Sequence, residues 1–434
     1  MLDHIKSKSK ELHGKVIECR RDLHKYAEAG WTEFRTAAFA IKELQKMGYT
    51  IKMGEEVLKK SEMMGVPGAE ELKKHQERAI AQGADPELVN KMDGGMTAFI
   101  AEMKFADGGP ALGFRVDMDS NDAIESKDSA HRPVKEGFAS VNDGAMHACG
   151  HDAHVAIGLA VAEIIAGIKD QLKGSIRLIF QPAEEGLRGA RPMVFAGVTK
   201  GLDYIVGMHV GFQAAKKGVL VCGTKGFLAS TKWDVTINGK GAHAGAAPQD
   251  GCNALLAGAT AAINLHAISR HGDGVTRINV GKMVAGEGRN VVPPNAFLVM
   301  ETRGVTSELN DYMVEESGRI IKAACDMYKC TYSIEVTGGS QSGESSQEMI
   351  DIVCEAAKDV PYYTDVTRMK DIGGGEDYAH MMSEVQKEGG IGTYMQVGVG
   401  IATGHHNNRF DLDEDDLLPA TELMSCVVYK VLKK

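Results

Sequence analysis

From residue 97 onward, short apolar runs alternate with stretches of helical periodicity: TAFIAEM, PALGFRVDMD, SIRLIFQPAEE, LDYIVGMHV and, near the C-terminus, TYMQVGVG. Parallel strands need a crossover of about a dozen residues or more, usually a helix, and short apolar runs between helical patterns meet that need. The alternation therefore confines the chain to an α/β fold built on βαβ units. In such open sheets, binding sites lie outside the carboxyl ends of the strands. The residues that follow each run are the first to inspect. GFRV runs into Asp117 and Asp119, IRLIFQ into Glu184 and Glu185, YIVGM into His209, and MQVGVG, after a short turn, into His405 and His406. A fifth segment, MHACGHDAH, sets Cys149 and His151 at the mouth of an apolar helix, IGLAVAEIIAGI.

Taken singly, most of these residues have ordinary explanations. Asp119, ahead of Ser120 and Asn121, can cap a helix. A Glu-Glu pair after a strand is often a solvated loop, and a lone His209 reads as a hydrogen-bonded core histidine. MHACGHDAH is harder to dismiss, because Cys and His rarely cluster without metal binding or catalysis. One thiolate among imidazoles and carboxylates fits a catalytic site, since structural zinc sites are usually closed sets of Cys and His. Two adjacent glutamates suit metal-assisted hydrolysis: one binds the ion while its neighbour takes a proton from a water whose pKa the ion has lowered. The rival chemistry is a nucleophilic Cys149 activated by His147, His151 or His154. It leaves Glu184, Glu185, His209 and His406 without a role. Gly373 to Gly375 lack the Lys-Ser/Thr of a phosphate loop and read as a backbone turn.

At 434 residues with 43% hydrophobic content, two domains are expected. After about residue 223 the order becomes strand, helix, strand, strand, helix, strand, a ferredoxin-like βαββαβ unit. The parse is a catalytic α/β domain of residues 1–222 and 341–434, interrupted by residues 223–340. Residues 53–95 are polar with Gly and Pro breaks, and read as a solvated helical insert. A net charge of -10 without a basic block argues against nucleic acid. No run approaches the ~20 apolar residues of a membrane span, and the N-terminus lacks a signal-peptide core. Eight cysteines without framework spacing argue for reduced thiols, so a cytoplasmic location is expected.

MHACGHDAH, FQPAEEG, MHV after a strand, GAHAGAAPQDGCNAL, GRNVVP, ETRG and GHHNNRFDLDE, in that order, resemble the amidohydrolase branch of the dinuclear metallopeptidase superfamily, of the hippurate hydrolase and indole-acetyl-amino-acid hydrolase type. RRDLHKYAEAGWTEFRTA and DSAHRPVKEGFAS extend the resemblance over nearly the whole chain. It implies a zinc-peptidase-like catalytic domain with a central mixed sheet flanked by helices, plus an inserted ferredoxin-like lid and dimerisation domain. It implies two divalent ions, zinc or manganese, with Cys149 bridging them and His151, Glu185, His209 and His406 as further ligands. His406 is preferred to His405 because Phe410 follows it by four residues, as in the family's terminal motif. Glu184 would be the general base, with Asp117 and Asp119 orienting the ligands. His243 would be a lid histidine that stabilises the oxyanion in a dimer partner's site, and Asn290 and Arg303 would hold the substrate carboxylate. The activity implied is amide hydrolysis of a small-molecule N-acyl or N-aroyl amino acid, with p-aminobenzoyl-glutamate the expected substrate. A broader aminoacylase or dipeptidase, or a non-catalytic subunit of a hetero-oligomer, are the alternatives. DMDSND replaces the family's Asp-Met-Asp-Ala-Leu-Pro and HNN its His-Ser-Pro, which bears on substrate preference more than on metal binding.

Overall fold

The structure is a computed structural model that describes residues 1–434. Two compact units make up the chain: Met1–Lys225 with Glu344–Ile372 and Asp377–Lys434, and Gly226–Gly343 with Gly373–Glu376.

The larger unit is built on an eight-stranded mixed sheet, in the order β1 (Thr50–Met53), β2 (Phe99–Lys104), β4 (Lys173–Gln181), β3 (Ala106–Asp117), β5 (Tyr204–Val210), β14 (Ile391–Val397), β6 (Val219–Val221) and β12 (Asp365–Thr367). The four central strands β4, β3, β5 and β14 run parallel, and the flanking pairings β1–β2, β2–β4 and β14–β6 are antiparallel. A two-residue ladder joins β7 (Thr224–Lys225) to β13 (Lys370–Asp371).

Both faces of the sheet are covered. Helices α1 (Leu2–Lys25), α2 (Phe34–Lys46), α6 (His151–Gly167), α10 (Gln347–Ala357) and α12 (Leu417–Leu432) pack together, and α6 and α12 lie against β3. Helices α7 (Ala190–Phe195) and α11 (Tyr378–Lys387) pack on each other, with α11 against β5 and β14. Alternation along β5 fits this: Val206 and Met208 join the core around α6, while Gly207 faces the ring of Tyr378 on α11. Helix α6 is apolar nearly all round, as a fully covered helix must be. Its N-cap is Gly150 at φ +99°, and Asp152 in its first turn complements the helix dipole.

The first helix begins at Leu2, and Ile5, Ser9, Leu12 and Val16 form its buried stripe. The stretch after β1 holds two short 3-10 turns, α3 (Ala69–Ala81) and α4 (Pro86–Lys91), which bury only Leu72, Ala79 and Val89. One further short helix, α5 (Arg132–Glu136), precedes MHACGHDAH.

The smaller unit is a βαββαβ arrangement: β8 (Ala229–Asn238), α8 (Ala254–His266), β9 (Thr276–Ala285), β10 (Asn295–Gly304), α9 (Ser307–Met327) and β11 (Thr331–Ser340). Its antiparallel sheet has the order β11-β8-β10-β9. Trp233, Val235, Ile237, Leu298 and Met300 pack with Leu265 and Ile321 to form a separate core. Strand β9 is an edge that exposes Met283 and Val284, and α8 exposes Leu256 and Ile263. All eight cysteines are free, and no helix is long and apolar enough to cross a membrane.

Gly150 and Gly14 call for opposite outcomes on mutation. A Cβ at Gly150 meets Val210 Cγ2 at 2.5 Å in left-handed backbone, so Gly150→Ala is expected to cost about 1–3 kcal/mol. Gly14, in exposed α1, has nothing within 4 Å, and Gly14→Ala should stabilise by about 0.5–1 kcal/mol. Urea unfolding of both variants checks the pair.

Glu33 generates a pH prediction. Fully buried, it accepts hydrogen bonds from Thr97 Oγ1 at 2.6 Å and the Ala183 amide at 2.8 Å. Burial, helped by the charge of Asp119, pushes it from an ordinary 4.5 up to about 8. Between those values the native state keeps a proton that the unfolded chain has lost. Its stabilising contribution is therefore complete below the ordinary value and is lost as pH rises through about 8, by at most ~1.4 kcal/mol per pH unit. Glu33→Gln should remove that slope from the stability of the metal-free protein measured between pH 5 and 8. An identical slope in the variant would mean that native Glu33 is ionised.

Candidate metal centre

At the carboxyl ends of the central parallel strands, Asp119 ties three segments together. Its carboxylate accepts the backbone N–H groups of Glu184 at 3.0 Å and Glu185 at 2.9 Å. Its carbonyl accepts from Nδ1 of His151 at 2.8 Å. Ala183, just before the glutamates, sits at φ +48°, a strained position for a residue with a side chain. The Glu33 hydrogen bond on its amide holds it there, together with its carbonyl accepting from the amides of Arg188 and Gly189 at 3.1 and 3.0 Å. His406 also has positive φ, at +60°, and its N–H donates to the Ala148 carbonyl at 2.7 Å. That bond fastens the C-terminal loop to the loop carrying Cys149.

These restraints bring together side chains from every segment that the sequence marks. Cys149, His151 and His209 each offer a ligand atom within 4.8 Å of the others; so do Cys149, Glu185 and His406, and so do His151, Glu184 and Glu185. Backbone bonds settle two imidazole tautomers. Nδ1 of His151 donates to Asp119, and Nδ1 of His209 donates to the Val210 carbonyl at 2.8 Å, which leaves the Nε2 lone pair of each facing the cluster. Nε2 of His209 lies 3.4 Å from Cys149 Sγ. Nε2 of His406 lies 3.3 Å from Glu185 Oε1.

The electrostatics ask for a cation. Burial acts to lower His151, but Asp117, Asp119 and Cys149 outweigh it and hold His151 well above its ordinary value. Burial, with His154 and His405 adding to it, drives His209 well below its usual range and keeps it neutral. Burial also pushes the Cys149 thiol well up, so this protein environment alone does not make it a nucleophilic thiolate. Nε2 of His151 is buried without a hydrogen-bond partner, an arrangement that a metal ion satisfies and an empty core does not. Two buried imidazoles, a thiol, two carboxylates and a partly exposed histidine are a donor set suited to divalent ions.

Neighbouring candidates are occupied elsewhere. Asp117 is bound by Arg115 and by Nδ1 of His154, and the Val210 amide donates to Nε2 of His154 at 3.0 Å, so both nitrogens of that ring are used. His405 donates from Nε2 to the Val210 carbonyl at 3.0 Å and stacks on Phe212, with its ring edge-on to His209 at 5.4 Å between centroids. His147 is buried near His24, their rings 6.3 Å apart, and burial pushes it down to about 3.

Three predicted residues belong to the smaller unit. His243 is exposed, and its Nδ1 accepts from the amides of Gly245 and Ala246, each at 3.1 Å, which leaves Nε2 as the donor. A bridge between His243 and Val291 and a bond from the Ala244 amide to the Asn290 carbonyl put Asn290 beside it. Arg303 is not with them. It pairs with Ser230 near the other end of β10, and its guanidinium is held by Glu301 at 2.9 and 3.1 Å. Residues that the sequence did not single out include Glu33, Arg20, His24 and Glu125. Single polar positions on amphipathic helices and loops carry no signal of burial, so nothing in their spacing marks them.

The chain is 43% identical over 417 residues to indole-3-acetyl-aspartic acid hydrolase of Enterobacter agglomerans, covering 96% of this chain and 95% of that protein. It is 43% identical over 412 residues to one of the subunits of p-aminobenzoyl-glutamate hydrolase of Escherichia coli, covering 95% and 94%. Among solved structures it is similar to an aminobenzoyl-glutamate utilization protein from Klebsiella pneumoniae, with a TM-score of 0.84, 37% identity, and 98% and 97% coverage. Residues 113–430 match the model of peptidase family M20/M25/M40. With that match and a divalent-metal donor set at the end of its sheet, the chain belongs to peptidase family M20/M25/M40 and is a metal-dependent hydrolase of amide bonds.

Proposed function

We propose that the protein hydrolyses p-aminobenzoyl-glutamate to p-aminobenzoate and glutamate. The observation that carries the chemistry is the convergence of Cys149, His151, Glu184, Glu185, His209 and His406 in overlapping ligand sets at one end of the sheet. The substrate rests on likeness: the two relatives above are named for amides joining an aromatic acyl group to an acidic amino acid.

In this reading two divalent ions, zinc or manganese, would be held by Cys149, His151, Glu185, His209 and His406. When bound, such ions supply Lewis acidity that polarises the amide carbonyl and makes water a better nucleophile. Glu184 takes the proton of the attacking water and delivers it to the leaving nitrogen. Asp119 supports this reading, because one carboxylate fixes the backbone of both glutamates and so sets where each carboxylate stands. His243 donates from Nε2 to the developing oxyanion. Asn290 and Arg303 hold the substrate's carboxylates, Arg303 by exchanging its fork from Glu301.

Arg303 and the Asn295 end of β10 are eight residues apart, roughly 26 Å at the rise of a strand. A single small substrate cannot span that distance, which supports a reading in which His243 and Asn290 reach the substrate of a second protomer. The exposed apolar residues of edge strand β9 and of α8 suit pairing between two such units, giving a homodimer. A related chain is the alternative partner, since one relative is named as one of several subunits of its hydrolase. Eight free cysteines fit a reducing cytoplasm.

Glu184→Gln should keep its metal and lose ~10²–10⁴ in turnover, while Glu185→Gln should lose metal first and be partly rescued by excess ion. Metal content beside kcat on p-aminobenzoyl-glutamate, with indole-3-acetyl-aspartate as the competing substrate, reads both roles and preference. Chelation should abolish activity; inactivation by iodoacetamide that ignores metal loading would favour a cysteine nucleophile instead.

His243→Ala should retain metal and lose roughly 10²–10³ in kcat. Mixed with Glu184→Gln protomers, it should recover part of the activity if the histidine serves its partner. No recovery despite demonstrated protomer exchange would place its action within its own chain.

A further inference from the structure

The RRDLH segment of α1 has no place in the chemistry above, yet it lies at the centre of a buried charge network. Arg20 and His24, four residues apart, share one face of the helix, and both are fully buried. Nε of Arg20 reaches Asp152 Oδ2 at 2.9 Å, Nη2 reaches Asp411 Oδ1 at 3.0 Å, and Nη1 reaches Glu414 Oε1 at 3.2 Å. His24 bridges Asp152 at 2.8 Å and Glu125 at 3.1 Å.

The three carboxylates on Arg20 are placed where the ligand segments are rooted. Asp152 directly follows His151 in the first turn of α6. Asp411 and Glu414 stand at the base of the loop that carries His406, which is closed by the Asp413 amide on the Gly400 carbonyl at 2.8 Å and the Ala402 amide on the Asp411 carbonyl at 3.2 Å. Arg132 backs the same base, forking onto Asp411, donating to the Leu412 carbonyl at 2.6 Å and reaching Glu414 at 3.1 Å. One guanidinium thus joins two ligand-bearing segments that are distant in sequence.

We propose that Arg20, with Arg132 behind it, is a positioning residue of the metal centre. It holds the base of the His406 loop in register with the His151 turn, so that the two segments offer their ligands at ion-binding separation. Buried ion pairs are weak sources of stability, and their better-attested use is to specify one geometry. A planar fork suits three carboxylates in fixed directions, which a lysine ammonium does not. This inference rests on the metal-site reading above.

The test uses manganese(II) added to the metal-free full-length protein, with affinity from calorimetry and the rate of ion loss to a chelator. Arg20→Lys and Arg132→Gln should each weaken manganese binding by roughly 10-fold or more and speed its loss, with turnover restored by excess ion. A lower unfolding midpoint with unchanged manganese affinity would make Arg20 merely structural and overturn the proposal. If Arg20→Lys does not fold, the part-exposed Arg132→Gln carries the test, and unchanged affinity there overturns it equally. A wild-type protein that binds neither manganese nor zinc would overturn the metal-site reading itself, whereas tight wild-type binding with unaffected variants would overturn this inference alone.

Discussion

Asp119 is the residue on which the site's geometry depends. A single buried side chain, placed just past β3, accepts the amides of both glutamates, while its carbonyl fixes the tautomer of His151. Three segments of the larger unit are thereby set in one frame before any ion binds. The strain at Ala183 is tolerated for the same reason: hydrogen bonds to Glu33, Arg188 and Gly189 over-determine a backbone conformation that alanine alone would not adopt. Loss of Asp119 would free the two glutamate amides together.

Charge explains why these side chains can be buried at all. Asp117 is neutralised by Arg115 and His154, which hold it ionised against its burial. Further out, Arg20 and Arg132 balance Asp152, Asp411 and Glu414. In the inner cluster, Asp117, Asp119 and Cys149 together raise His151 against its burial. A buried anionic cluster is costly unless paired or bound to metal, so divalent ions are the economical solution in this part of the fold.

The smaller unit follows a different logic. Its sheet buries one face under α8 and α9 and leaves an edge strand with apolar residues, a pattern that soluble proteins usually blunt with charge or cover with a partner. Its histidine is presented as a donor by two backbone amides rather than by burial, so His243 stays accessible and keeps a defined tautomer.

Much of this was legible in the chain itself. Apolar runs separated by helical periodicity determined an α/β sheet, because strand and helix periods are incompatible and only one arrangement buries both. Polar residues that end those runs marked the ligand edge, because strands in a parallel sheet finish together. The short strands β6, β7, β12 and β13 were not legible, since two or three residues show no period. The strand pattern alone left His405 and His406 open, and only the family's terminal motif favoured His406; adjacent loop residues differ in direction through φ, and the folded backbone, with His406 at +60° and its amide on Ala148, turns His406 toward Glu185 and His405 toward Val210. The Arg20 network was equally hidden. Sequence determines which groups a segment offers, but whether an arginine on an amphipathic helix faces water or three carboxylates depends on what folds over it from the far end of the chain.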